Sequence, residues 1–157
     1  MRKMLLSFNP KWFNKIMSGE KIYEYRSFFP EEEITAYMYV STPVKQIIGK
    51  IHLGKRIDLK EWRERYKDNK EVLQRIEYYM KKRRYAMPII SYQQTTGLDL
   101  KDLRKNVNGF VVPQMYYYLD NREELLSYIE KNIKITGKMV VNDFSGDTLD
   151  DICKIDY

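Results

Sequence analysis

A chain of 157 residues with 43% hydrophobic and 14% aromatic residues is one domain's worth of sequence with material for a real core, which excludes global disorder. Its net charge of +6 is unevenly spread: from Lys134 onward three lysines face five aspartates, so that stretch carries −2 and the remainder +8, a basic body that favours a polyanionic partner. A single cysteine, Cys153, excludes an internal disulfide, and together with the single histidine, His52, it excludes a zinc site of the usual composition.

In chain order, Met4–Phe8 predicts a first strand. Asn9 suits a helix N-cap and Pro10 the first helical position, and Trp12, Phe13, Ile16 and Met17 recur at helical spacing as one apolar face. Ser18-Gly19 ends that helix. Ile22–Arg26 and Ile34–Val40 read as aromatic strands, the second stopping at Ser41-Thr42-Pro43, and 46–53 as a further strand. Helices follow: Leu59, Trp62 and Tyr66, then Val72, Leu73, Ile76, Tyr79 and Met80 behind a cap at Asp68 or Asn69. The second runs into Lys81-Lys82-Arg83-Arg84, and strand returns after Pro88, over Ile89–Gln93. Leu98–Arg104 predicts a short helix or turn, Phe110–Val112 an apolar run, and Met115–Leu119 a strongly aromatic strand. Asp120 with Glu123 resembles a capping box ahead of a last helix carrying Leu125, Leu126, Ile129 and Ile133. Met139–Val141 reads as a weak strand, and the acidic residues beyond Asn142 are expected to add little to stability. Without long crossovers between the early strands, parallel β/α winding is disfavoured. The expectation is an α+β fold, a small mixed and mainly antiparallel barrel flanked by helices. It has one domain over 1–133, a helical insert over about 58–87 and an acidic extension over 134–157. No apolar run reaches membrane-spanning length, and the stretch after Arg2-Lys3 stops at Asn9-Pro10, too soon for a secretory signal. A reducing cytoplasm is the simplest setting.

The densest polar constellation is Gly19-Glu20-Lys21-Ile22-Tyr23-Glu24-Tyr25-Arg26. In a regular strand Glu24 and Arg26 share a face, while Lys21, just after the glycine turn, is free of the pleat and able to lean over the same cavity. The plain reading of Glu24 and Arg26 is a structural ion pair. The functional one is a charged pocket in which Lys21 and Arg26 receive an anion and Glu24 accepts a hydrogen bond from a base or amide. Ser41 and Thr42 at a strand end are candidate ligand contacts or turn residues, and Gln114 after Pro113 is open to the same two readings. Lys81, Lys82, Arg83 and Arg84, with Tyr78, Tyr79 and Tyr85 nearby, form a secondary basic patch for phosphates and stacked bases, or a solvated helix end. His52, in the alternating run Ile51-His52-Leu53, reads as structural. No Gly-rich phosphate loop, HExxH or Cys-x-x-Cys is present, and neither a metal nor a cofactor is expected.

Gly19, Lys21, Glu24 and Arg26 match, residue by residue, the Gly-x-Lys-x-x-Glu-x-Arg signature of the ASCH family, which the chain resembles over about residues 4–119. Leu5–Phe8, Tyr39–Val44, Ile48–Ile51 and Pro113-Gln114 are similar to the segments that surround that signature. The resemblance implies a PUA-like barrel with a cleft lined by the signature residues, and binding of RNA or a nucleotide-like ligand. Some compact members resemble amidohydrolases for acylated cytidines that use a Lys, a Thr and a Glu. Lys21 corresponds to that Lys, but Glu24 stands at the Thr nucleophile position, and a carboxylate does not replace a hydroxyl nucleophile without different chemistry. The leading expectation is thus a binding module. A hydrolase using Lys21, with Glu24 beside it, and a protein-interaction or regulatory module are the alternatives. The sequence leaves the oligomeric state open.

Overall fold

The computed structural model describes residues 1–146 and 149–154, and within them a curled sheet forms a half-barrel flanked by five helices. The strands are β1 (Arg2–Phe8), β2 (Tyr23–Arg26), β3 (Ile34–Val40), β4 (Gln46–Leu53), β5 (Ile57–Asp58), β6 (Tyr85–Asp99), β7 (Tyr116–Tyr118) and β8 (Ile135–Val141). The helices are α1 (Pro10–Met17), α2 (Leu59–Arg65), α3 (Lys70–Met80), α4 (Leu100–Asn106) and α5 (Glu123–Asn132). The sheet order is β2-β6-β4-β3-β1-β7, with β5 and β8 also paired to β6. β1 and β3 run parallel and the other pairs are antiparallel, as expected of a mixed, mainly antiparallel sheet.

Alternation along the strands explains the layers. Met4, Leu6 and Phe8 of β1 and Ala36, Met38 and Val40 of β3 point into the half-barrel, where Ile51, Leu53, Met87 and Ile89 meet them. The intervening Leu5, Tyr37 and Tyr39 face outward under α4 and α5, against Leu103, Leu125 and Ile129. Both faces are thus covered, which is why Met4-Leu5-Leu6 is continuously apolar. α1 closes the half-barrel through Phe13 and Ile16, both buried. The expected face was too wide, since Trp12 is half-buried and Met17 is 38% exposed. Asn9 caps α1, its side-chain oxygen accepting from Lys11 N–H at 2.8 Å. Asn69 caps α3 in the same way, through Val72 N–H at 3.1 Å.

Several local expectations need correction. Strand β6 begins at Tyr85, ahead of Pro88, and continues to Asp99. Residues 85–88 pair with β2 and β5 and residues 89–99 with β4, so Pro88 stands at the corner where the strand changes partners, a position a residue without an N–H tolerates. Asp120 does not cap α5: Arg122 is the N-cap and makes no side-chain cap bond, while Asp120 lies 3.5 Å from Arg2.

The stretch from Lys134 also differs from expectation. β8 spans seven residues and pairs with β6. A short helical turn at Leu149–Asp151 then brings Ile152 and Cys153 to 1% and 0% exposure, against Leu59, Trp62, Val72 and Ile76 of the helical layer and Tyr23 and Tyr25 of β2. Arg75 of α3 holds this segment by donating to the carbonyls of Leu149 and Ile152. Two fully buried side chains and a guanidinium staple thus tie to the core a segment that the sequence predicts to be a solvated extension. The last acidic residue of the expected tail, Asp156, and Asp147 lie outside the described residues.

Candidate functional site

The site begins with how α1 ends. Gly19 takes φ +79°, a conformation that disfavours a side chain, and Lys21 N–H bonds the Lys15 carbonyl at 3.1 Å. The turn sends Lys21 back toward β2, where its ammonium lies 3.3 Å from Glu24 Oε1. Arg26, two residues along the same strand face, donates from Nε and Nη2 to Glu24 Oε2 at 3.2 and 2.9 Å, and from Nη2 to the Ser7 carbonyl at 2.8 Å. Tyr25 N–H adds a bond to Glu24 Oε1 at 3.2 Å. The structural ion pair and the shared cavity wall, two readings of the sequence, are both present in one arrangement.

Lys21 and Glu24 are almost wholly buried, with side chains 4% and 5% exposed, and Arg26 retains 17%. Burial pushes the Glu24 carboxyl up, but Lys21 and Arg26 outweigh it and hold the group below its ordinary value, so it is ionised. Burial pushes Lys21 down and the Glu24 charge offsets this only in part. The Lys21 ammonium also lies 4.9 Å from the Tyr25 ring centre and 5.2 Å from that of Trp12, within cation–π range.

The trio forms the floor of a cavity of about 580 Å³, within the roughly 300–1,000 Å³ range of small-ligand pockets. Ser7, Phe8 and Asn9 from the end of β1 line it, with Trp12 of α1, Tyr25 and Ser27 around β2, and Met115 before β7. Tyr78, Tyr79, Lys81, Lys82 and Arg83 from the end of α3, and Lys154 from the C-terminal segment, complete the lining. The β2–β6 register explains this meeting. Arg26 pairs with Tyr85, and Arg84 N–H bonds the Arg26 carbonyl at 3.2 Å, so the residues just before β6 fall beside the end of β2. Three of the four residues of the basic run face the cavity. Arg84 does not, and lies 3.6 Å from Asp58 instead.

Lys154 is tied down by the Glu20 carbonyl at 2.9 Å and by Asp151 at 3.2 Å. Its own carbonyl accepts from the Tyr79 hydroxyl, whose ionisation burial pushes well up, and Cys153 N–H donates to the Tyr25 hydroxyl at 2.8 Å. Burial also pushes the Cys153 thiol up to about 12. Trp12, Met115 and Lys154 were not among the candidates from the sequence. Ser41, Thr42 and Gln114 were, but the structure does not bring them into this lining. Ser41 N–H bonds the Phe8 carbonyl at 3.0 Å, Thr42 precedes a cis proline in an exposed turn, and Gln114 is exposed. His52 is half-buried on β4, 3.8 Å from Glu33. Among the described residues no three His, Cys, Asp or Glu side chains are grouped to hold a metal, and no helix is long and apolar enough to cross a membrane.

Comparison with solved structures gives the fold a name. The crystal structure of the ASCH protein from Zymomonas mobilis is 22% identical, with a TM-score of 0.63, and the match covers 85% of this chain and 96% of that one. A Tyr-to-Phe variant of that protein matches at 21% identity, and a Ser-to-Ala variant at 22%, each with a TM-score of 0.63 over 85% of this chain and 100% and 97% of theirs. The chain therefore has the ASCH fold. No family profile and no curated protein sequence matches it.

Proposed function

We propose that this protein binds RNA or a nucleotide-like ligand in the cavity above Lys21, Glu24 and Arg26. The observation that carries the reading is the convergence of two chain segments on one cavity. The preorganised charged floor of β2 and the basic end of α3, with Lys81, Lys82 and Arg83, face the same space. Phosphate neutralisation by cations and stacking on aromatic faces are the two components of single-stranded nucleic-acid recognition, and Trp12, Tyr78 and Tyr79 supply the rings. The Zymomonas mobilis protein lends this reading its scaffold only. A cytoplasmic place of work fits it, a single cysteine being unable to form an internal disulfide.

The hydrolase alternative has less support. By the family resemblance Glu24 stands where the amidohydrolase-like members place a hydroxyl nucleophile, and the two serine hydroxyls of the lining donate to main-chain carbonyls, Ser7 to Pro113 and Ser27 to Lys82. A crystal soaked with nucleotides and short single-stranded RNAs tests the proposal. The expected density lies against Arg26 and the rim, with the ligand intact. Density only outside the cavity overturns the site, and release of the acyl group from an acylated cytidine incubated with the protein favours the hydrolase reading.

A further inference from the structure

We infer that the floor of the cavity receives a ligand's phosphate, and that Glu24 is a positioning residue which reads nothing on the ligand. The inference rests on the nucleotide-binding reading above and specifies which end of the ligand is buried.

The hydrogen bonds of Glu24 require this orientation. An ionised carboxylate offers about four lone-pair sites. Oε1 already takes Lys21 Nζ and Tyr25 N–H, and Oε2 takes Arg26 Nε and Nη2. Glu24 therefore has no lone pair left for an N–H of a nucleobase. Donors do remain. Arg26 spends Nε and Nη2 on Glu24 and the Ser7 carbonyl, which leaves the two hydrogens of Nη1 without a protein acceptor among the described residues. Arg26 is also the most exposed of the three, so it is the group a ligand meets first. Six cations line the cavity against the single carboxylate of Glu24. A floor of donors under such a surplus selects an acceptor-rich anion, and a planar guanidinium suits phosphate oxygens.

The rings decide between a bare phosphate and a nucleotide. Trp12 borders the Lys21 ammonium at 5.2 Å, and Tyr78, 55% exposed at the rim, lies 5.5 Å from Lys81 Nζ. An aromatic wall beside the cations gives a base a face to stack on once the phosphate is seated. Stacking is tolerant of base identity, so the cavity discriminates phosphorylated from unphosphorylated ligands and is nearly indifferent to the base.

Calorimetric titration with AMP, UMP, adenosine, uridine and inorganic phosphate tests this, alongside a short single-stranded RNA. The two monophosphates are expected to bind at least about tenfold tighter than their nucleosides, the worth of one charge-assisted contact, and tighter than inorganic phosphate. Arg26→Ala should abolish the nucleotide–nucleoside difference. Glu24→Gln should weaken AMP and UMP alike, because a neutral amide no longer holds both cations. Nucleosides that match their monophosphates overturn the inference, as does a Glu24→Gln protein that reverses the order of AMP and UMP. Inorganic phosphate equal to the monophosphates removes the role of the rings and overturns the nucleotide assignment. RNA binding without monophosphate binding defeats this inference alone, whereas the absence of both defeats the proposed function with it. Arg26→Ala keeps the test decisive should Glu24→Gln fail to fold.

Discussion

Lys21 and Arg26 at the floor of the cavity and Lys81, Lys82 and Arg83 at its rim carry the same charge in opposite surroundings. The floor cations are buried (Lys21) or half-buried (Arg26) and share one carboxylate, with every distance between 2.9 and 3.3 Å. The rim cations are exposed at the end of α3 and gain their place from the chain reversal into β6. Buried charges are costly to leave unpaired and are screened little by salt, whereas exposed ones contribute little to stability and lose reach as salt rises. The floor should therefore govern folding and orientation, and the rim attraction.

The sharpest way to break this comparison is Glu24→Ala. Removing the shared anion leaves two cations facing each other at the floor, and a cost of about 3–5 kcal/mol is expected from urea unfolding. A loss below about 1 kcal/mol would mean that water reaches the floor. Next in size is Ile152→Ala, at about 2–5 kcal/mol for a buried isoleucine, which tests whether the C-terminal segment is a fixed wall of the cavity. An unchanged melt would show that this segment is separable from the core.

Acid sharpens the contrast further. The folded Glu24 carboxyl is held below its ordinary value, so the unfolded chain binds its proton first as pH falls. The stability Glu24 contributes is complete above its unfolded pKa and is lost as pH drops through the folded one. Urea midpoints measured from about pH 6 to about pH 3 should fall less steeply in Glu24→Gln than in the parent. Identical acid limbs would contradict the buried network. The smallest effect belongs to the rim. Replacing Lys81, Lys82 and Arg83 by Ala should change stability by no more than about 0.5 kcal/mol each.

Much of this comparison was legible in the sequence, and what was missed has a local cause. The turn at Gly19 and the two-residue spacing of Glu24 and Arg26 predict the floor, because a strand places alternate residues together and a turn frees Lys21 to join them. The meeting of floor and rim was not legible. Tyr85-Ala86-Met87 is a short run ended by Pro88, and a proline argues against a central strand, so the pairing of Arg26 with Tyr85 is hidden. The C-terminal wall was obscured in the same way. Five aspartates after Lys134 read as a solvated tail, while Ile152 and Cys153 are too few to show a period. Ser41, Thr42 and Gln114 were chosen for their chemistry at strand ends, but the β3–β4 turn and the approach to β7 place them outside the cavity lining.

The most direct test of the account is the salt dependence of binding to a short single-stranded RNA, in the parent and in the triple Ala variant of Lys81, Lys82 and Arg83. Each phosphate contact on a single strand adds about 0.7 to the slope of log K against log salt. With all three rim cations engaged, their removal should flatten that slope by about two while thermal stability stays near that of the parent. Equal slopes in the two proteins would place the RNA away from this cavity and contradict the account.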